Sequence, residues 1–234
     1  MIIPKRFVML FALGLGIGAA APSLAAQPST LVTFSGGLGT TAQDWVTDVA
    51  LLKREGGEVY RYVQDGQAAQ TALGYGYLVN DQNDPLTLLL QKRAEARNRG
   101  FVNATVDKQA AQVRAALDAG ARVLLLGHSQ GALYANAVHD RLQTLQASTA
   151  HLRVTHVGSA ANRVAGNGSY LTSSKDGIID LLRVLYPALA ANVRQPAGHG
   201  MATYALPPQG APAGTPGSLK TLLHANLAQL SQSR

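Results

Sequence analysis

The run Arg122-Val123-Leu124-Leu125-Leu126 passes without a break into Gly127-His128-Ser129-Gln130-Gly131, and Ala132-Leu133-Tyr134-Ala135-Asn136-Ala137-Val138 follows with helical character. A short continuous apolar run reads as a parallel strand covered on both faces. The chain must therefore turn, within five residues, from a central strand into a helix packed behind it. The glycines answer a steric need, because the two backbones approach too closely there for side chains, and the serine between them sits on strained backbone. Such a turn points the Ser129 hydroxyl out of the sheet and sets the next amides at a helix N-terminus, where negative charge is favoured. These residues alone leave open a plain Gly-Ser turn of the kind found in nucleotide-binding folds.

The rest of the chain repeats the alternation of strand and helix. Thr30 to Phe34 is β-prone and ends in the glycine-rich stretch from Ser35 to Thr41, and Trp45, Val49 and Leu52 then recur at helical spacing until Gly56-Gly57 breaks the pattern. Glu58 to Val63 alternates like a strand. Asp65 to Pro85, with Gly74-Tyr75-Gly76-Tyr77 and several Asn and Asp residues, reads as loop, and Pro85 opens a helix through about Asn98. Asp107 to Ala119 reads as a helix capped by Gly120, Val154 to Val157 and Tyr170 to Thr172 as strands, and Leu219 to Leu230 as the closing helix. This order predicts a three-layer α/β fold with a mainly parallel central sheet.

Composition narrows the chemistry. The chain has 234 residues, 47% hydrophobic and 14% charged, enough for one well-cored domain. No cysteine is present, which excludes a disulfide scaffold, a thiolate zinc site and a cysteine nucleophile. Lys5 and Arg6 precede the apolar stretch Phe7 to Ala21, and small residues follow to Ala26, so residues 1–26 read as a secretory signal peptide and 27–234 as a single domain, secreted or periplasmic. The formal charge of +7 falls to +5 without Lys5 and Arg6, and it is spread without a long basic run, which speaks against a nucleic-acid binder.

With its strand, sharp turn and helix, Gly127-His128-Ser129-Gln130-Gly131 resembles the nucleophile elbow of the α/β-hydrolase superfamily, and in particular that of secreted esterases, lipases and cutinases. The resemblance makes Ser129 the nucleophile and implies that an acid and then a histidine follow it in the chain. After Ser129 the carboxylates are Asp140, Asp176 and Asp180. Asp140 lies eleven residues down the helix, roughly 16 Å away at 1.5 Å per residue, and reads as a solvated charge. Asp176 follows a strand and a polar turn and resembles the family's acid, with an N-cap as its alternative role; Asp180 lies a turn beyond. Of the two later histidines, His224 sits among leucines of the closing helix. His199, in Pro196-Ala197-Gly198-His199-Gly200, resembles the family's catalytic histidine loop, with loop packing as the alternative.

The resemblance also implies an oxyanion hole built from the Gln130 amide and one amide of the loop after the first strand. Aligning Ser35-Gly36 with the family's His-Gly makes Gly37 the donor, whereas aligning Gly36-Gly37 makes it Leu38. That loop lacks the lysine of a phosphate-binding G-x-x-x-x-G-K-[ST], and no H-E-x-x-H zinc pattern occurs, so no cofactor or metal is expected.

The expected reaction is acyl transfer from a carboxylic ester, a small molecule or lipid, polyester or acylated glycan, through a Ser-His-Asp triad. A peptidase, amidase or thioesterase on the same residues, or a noncatalytic binding protein, is the alternative. From Arg141 to Arg234 eight basic residues stand against Asp176 and Asp180, a balance that suits either peripheral contact with an anionic surface or solubility alone. The segment Gly66 to Leu90, with Tyr75, Tyr77 and Leu88 to Leu90, is a candidate lid or acyl-binding wall, with a core helix and surface turn as the alternative. The oligomeric state is not set by the sequence.

Overall fold

The computed structural model describes residues 29–64, 67–80, 84–97, 100–210 and 217–233, so the expected signal peptide lies outside the described residues. Six strands form one sheet: β1 (Thr30–Ser35), β2 (Val59–Gln64), β3 (Gln67–Leu78), β4 (Arg122–Ser129), β5 (Leu152–Ser159) and β6 (Ser169–Leu171). Their order is β2-β3-β1-β4-β5-β6, with β2 antiparallel to β3 and every other pair parallel. Among the described residues seven α-helices accompany them: α1 (Ala42–Gly56), α2 (Pro85–Ala96), α3 (Ala104–Asp118), α4 (Gly131–Thr144), α5 (Gly177–Leu185), α6 (Met201–Ala205) and α7 (Leu219–Gln232). None of these is long and apolar enough to cross a membrane.

The alternation of side chains along β4 sorts the helices into two outer layers. Leu124 and Leu126 join a core with Val32, Phe34 and residues of α1 and α7, while Val123 and Leu125 join one with Val106, Val113, Tyr134 and Val138 from α3 and α4. All four β4 residues are fully buried, each stabilising the fold by roughly 2 kcal/mol. The chain leaves β1 toward β2 and β3 on one side and returns to β4 on the other. Ligands bind in the crevice outside the carboxyl ends of strands at such a reversal. Here that crevice lies between the loop after β1 and the turn after β4.

The segment 65–85 departs from its sequence reading. Residues 67–78 form the longest strand, bonded to β1 on one side and β2 on the other. Its glycines hide the alternation: Leu73 and Tyr75 pack against the α1 and α7 core, and Tyr77 stacks on Trp45 with ring centroids 5.1 Å apart. Two-sided backbone pairing compensates for the weak strand propensity of glycine. Of the lid or acyl-wall candidate Gly66 to Leu90, the described residues form β3 and the start of α2, with Leu88 buried in the core.

Candidate active site

Ser129 ends β4 with φ at 56°, a left-handed conformation that a residue with a side chain seldom adopts. The neighbouring glycines make it possible. A Cβ on Gly127 would lie 2.5 Å from the Gly131 carbonyl oxygen, and one on Gly131 would overlap the Ser35 carbonyl. Both collisions are with backbone, so no side-chain shift could relieve them. The first strand's end therefore presses directly on the start of α4, and the loop that follows it lies on the serine: a Cβ on Gly37 would stand 2.7 Å from Ser129 Cβ and 3.2 Å from its Oγ. Leu38, next in that loop, is 38% exposed.

The structure brings Asp176 and His199 together. His199 Nδ1 donates to both Asp176 oxygens, at 2.8 and 2.9 Å; in a neutral ring that bond puts the lone pair on Nε2. Asp176 is fully buried and also accepts from the Tyr204 hydroxyl at 2.6 Å and from the Ile179 amide at 3.2 Å. Burial pushes its pKa up, and the bonds from His199 and Tyr204 outweigh that to hold it below the usual carboxylate range. The Ile179 bond makes Asp176 the N-cap of α5 as well. One carboxylate thus both caps α5 and binds the His199 ring.

Backbone stitching sets the two loops side by side. Ser174 N–H donates to the Val193 carbonyl at 2.9 Å, and Ser173 Oγ accepts from the Gln195 amide at 3.1 Å, so the histidine loop starts from the acid loop. His128 then docks the histidine loop onto the elbow. Its Nε2 donates to the His199 carbonyl at 2.8 Å, and the two rings lie 4.9 Å apart. A carbonyl only accepts, so Nε2 carries the proton, and burial lowers the His128 pKa to about 4, which keeps the ring neutral. Among the described residues no hydrogen bond joins the Ser129 hydroxyl to the His199 ring.

Gln130 follows the serine and is fully buried. Its side chain donates to Gln91 Oε1 at 3.0 Å, which ties the elbow to α2. Three supports carried no signal in the sequence. Tyr204 stands among ordinary α6 residues, Gly158 (φ 51°) leaves room that a Cβ would take from the Tyr204 hydroxyl and Asp176 Oδ2, and Gln91 reads as a helix residue like its neighbours.

The other candidates lie elsewhere. Asp140 is corrected from a solvated charge to a partly buried ion pair with Arg163. Asp180 pairs with Arg183 on α5, and His224 packs edge-on against Tyr60. Among the described residues no three His, Asp or Glu side chains come together to hold a metal ion.

No family model matches the sequence, and no curated protein is similar to it. Similar solved structures include Trichoderma reesei cutinase in complex with a C11Y4 phosphonate inhibitor, 15% identical over 65% of this chain and 64% of that one, with a TM-score of 0.42. Another is a protein described as a cell surface hydrolase from Lactobacillus plantarum WCFS1, 16% identical over 58% of this chain and 56% of that one, with a TM-score of 0.29. The match thus spans less than two thirds of either chain. The chain's own strand order and its left-handed serine at the end of β4 are those of an α/β-hydrolase-like fold.

Proposed function

We propose that this protein is an exported serine hydrolase of carboxylic esters. The observation that carries the reading is the hydrogen bond between the Asp176 carboxylate and His199 Nδ1, made by a loop that His128 docks onto the Ser129 elbow. Ser129 Oγ attacks the ester carbonyl while His199 Nε2 takes its proton, a contact that tightens when substrate binds. The new C–O bond pushes the carbonyl electrons onto oxygen. The amide of Gln130 and one amide of the loop after β1, that of Gly37 or of Leu38, receive that charge; support for the loop's part is that Gly37 lies against the serine. His199 returns the proton to the leaving alcohol as the ester C–O bond breaks. Water, deprotonated by the same nitrogen, then releases the acid and restores Ser129.

An apolar ester is favoured by α5, which begins at the acid and exposes Ile178, Leu181, Val184 and Leu185 by 50 to 80%. Export rests on Lys5, Arg6 and the apolar stretch after them.

Treatment with a fluorophosphonate probe, followed by peptide mass spectrometry, tests the reading. An adduct on Ser129 that disappears in His199→Ala is expected. An unlabelled protein, under conditions that label a known serine hydrolase, would overturn it. A panel of matched esters, thioesters and amides then ranks the bond cleaved.

A further inference from the structure

Lys92, on α2, is 1% exposed and takes no part in the chemistry proposed above. A buried lysine is rare and persists only where its ammonium is satisfied. Lys92 Nζ donates to the carbonyl of Ala160 and, at 2.7 Å, to that of Pro187. These two carbonyls belong to separate loops, each fastened to one part of the site. Ala160 follows β5, and its own amide donates to the Ser129 carbonyl at 3.3 Å. Pro187 follows α5, the helix that Asp176 opens.

The surroundings show that this junction is built. Leu189 N–H donates to the Ala161 carbonyl at 2.8 Å, and Arg183 donates to the Leu189 carbonyl at 2.7 Å. Ile179 and Leu182 of α5 share a buried cluster with Ala160, Ala161 and Leu88. One turn along α2, Glu95 accepts from Asn136 of α4 at 3.0 Å and from the Asn162 amide at 2.8 Å. Burial lowers the Lys92 ammonium to about 8, against the pull of Glu95 and with the push of Arg183. An apolar side chain of similar length would fill this space without that cost. What it could not do is hold two carbonyls at a fixed separation.

We propose that Lys92 is a positioning residue, which sets the spacing between the serine elbow and the acid helix by bridging the carbonyls of Ala160 and Pro187. The proposal rests on the hydrolase reading of the site for its kinetic consequence, but not for the bridge itself.

Lys92→Met removes the bridge and keeps the bulk, and Lys92→Gln restores part of the donor capacity. Three quantities are measured: the rate of Ser129 labelling by a fluorophosphonate, kcat and KM on p-nitrophenyl butyrate, and exchange of the Ala160, Leu189 and Leu125 amides. In Lys92→Met the labelling rate and kcat are expected to fall on the order of 10- to 100-fold with KM nearly unchanged, the loss a misplaced catalytic group brings. Exchange at Ala160 and Leu189 should quicken at least about 10-fold while Leu125 in the core of β4 stays protected. Lys92→Gln should recover part of both.

Unchanged labelling and exchange in Lys92→Met overturn the proposal. So does equal acceleration at all three amides, or failure of both variants to fold, since either assigns Lys92 to the fold as a whole. If the wild-type protein itself takes no label, the hydrolase reading falls, and the exchange arm alone decides the bridge.

Discussion

The phenol of Tyr204 donates to Asp176 Oδ2 across 2.6 Å and itself accepts the Ser173 amide at 3.3 Å, so one buried hydroxyl steadies both the acid and the turn that presents it. A hydrogen bond to a charged group is worth about 2 kcal/mol. Tyr204→Phe should lower Tm by about 5 °C and reduce kcat/KM on the order of 10-fold, read by calorimetry and ester hydrolysis. Acid sensitivity should rise as well. Asp176 has a depressed folded pKa, so its stabilisation is present above the unfolded value near 3.8 and is lost as pH falls through the folded value. Without the phenol that depression shrinks, and the acid unfolding midpoint should move to higher pH.

Asp176→Asn separates the two tasks of that residue. Asparagine caps a helix as well as aspartate does, so α5 and its circular dichroism should persist. It cannot hold the imidazole in the required tautomer, and kcat should drop by about 10^4-fold. Asp176→Ala should show the same kinetic loss with an additional destabilisation of about 1 kcal/mol from the lost cap, measurable by urea denaturation.

The glycines at the crevice should respond differently to the same substitution. Gly131→Ala drives a Cβ into the Ser35 carbonyl, and Gly127→Ala one into the Gly131 carbonyl. Both should cost more than about 3 kcal/mol or prevent folding. Gly37→Ala collides with the side chain of Ser129 instead. Its Tm should change less, while Ser129 labelling by a fluorophosphonate slows by about 100-fold.

Two buried histidines give the protein a second pH dependence. Burial lowers His128 to about 4 and His156 to about 3, and both sit below the ordinary value of 6.5. Such groups add stability that is complete above pH 6.5 and is lost as pH falls through the folded values, because the unfolded chain takes up the protons. Each contributes a slope approaching about 1.4 kcal/mol per pH unit between its two values. A denaturant series from pH 7 to pH 4 should show this decline, and His156→Gln should flatten it.

The elbow was legible because its constraint is local: two backbones crossing within five residues admit only glycine on either side of Ser129, and those glycines stand in the sequence. That Asp176 and His199 would meet was legible for a different reason. Few carboxylates and histidines follow Ser129, and a helix rise of 1.5 Å per residue removes Asp140 from reach. The strand β3 was not legible, since Gly74 and Gly76 mask its alternation and its place inside the sheet comes from pairing with β1, 43 residues earlier. Tyr204, Gln91 and Lys92 act through contacts that close only in three dimensions. No spacing rule marks a tyrosine on a short helix as the partner of a carboxylate 28 residues earlier.

Because the carboxylate that begins α5 is the one that grips the imidazole, the stretch from Ser173 to Asp176 works as a ruler of fixed length. Adding or deleting one residue there would slide the start of the helix and the grip on His199 together, and no compensating change in either alone could restore both. Loop-grafting or library designs on this scaffold should therefore vary composition at Ser174 and Lys175 while leaving the length untouched.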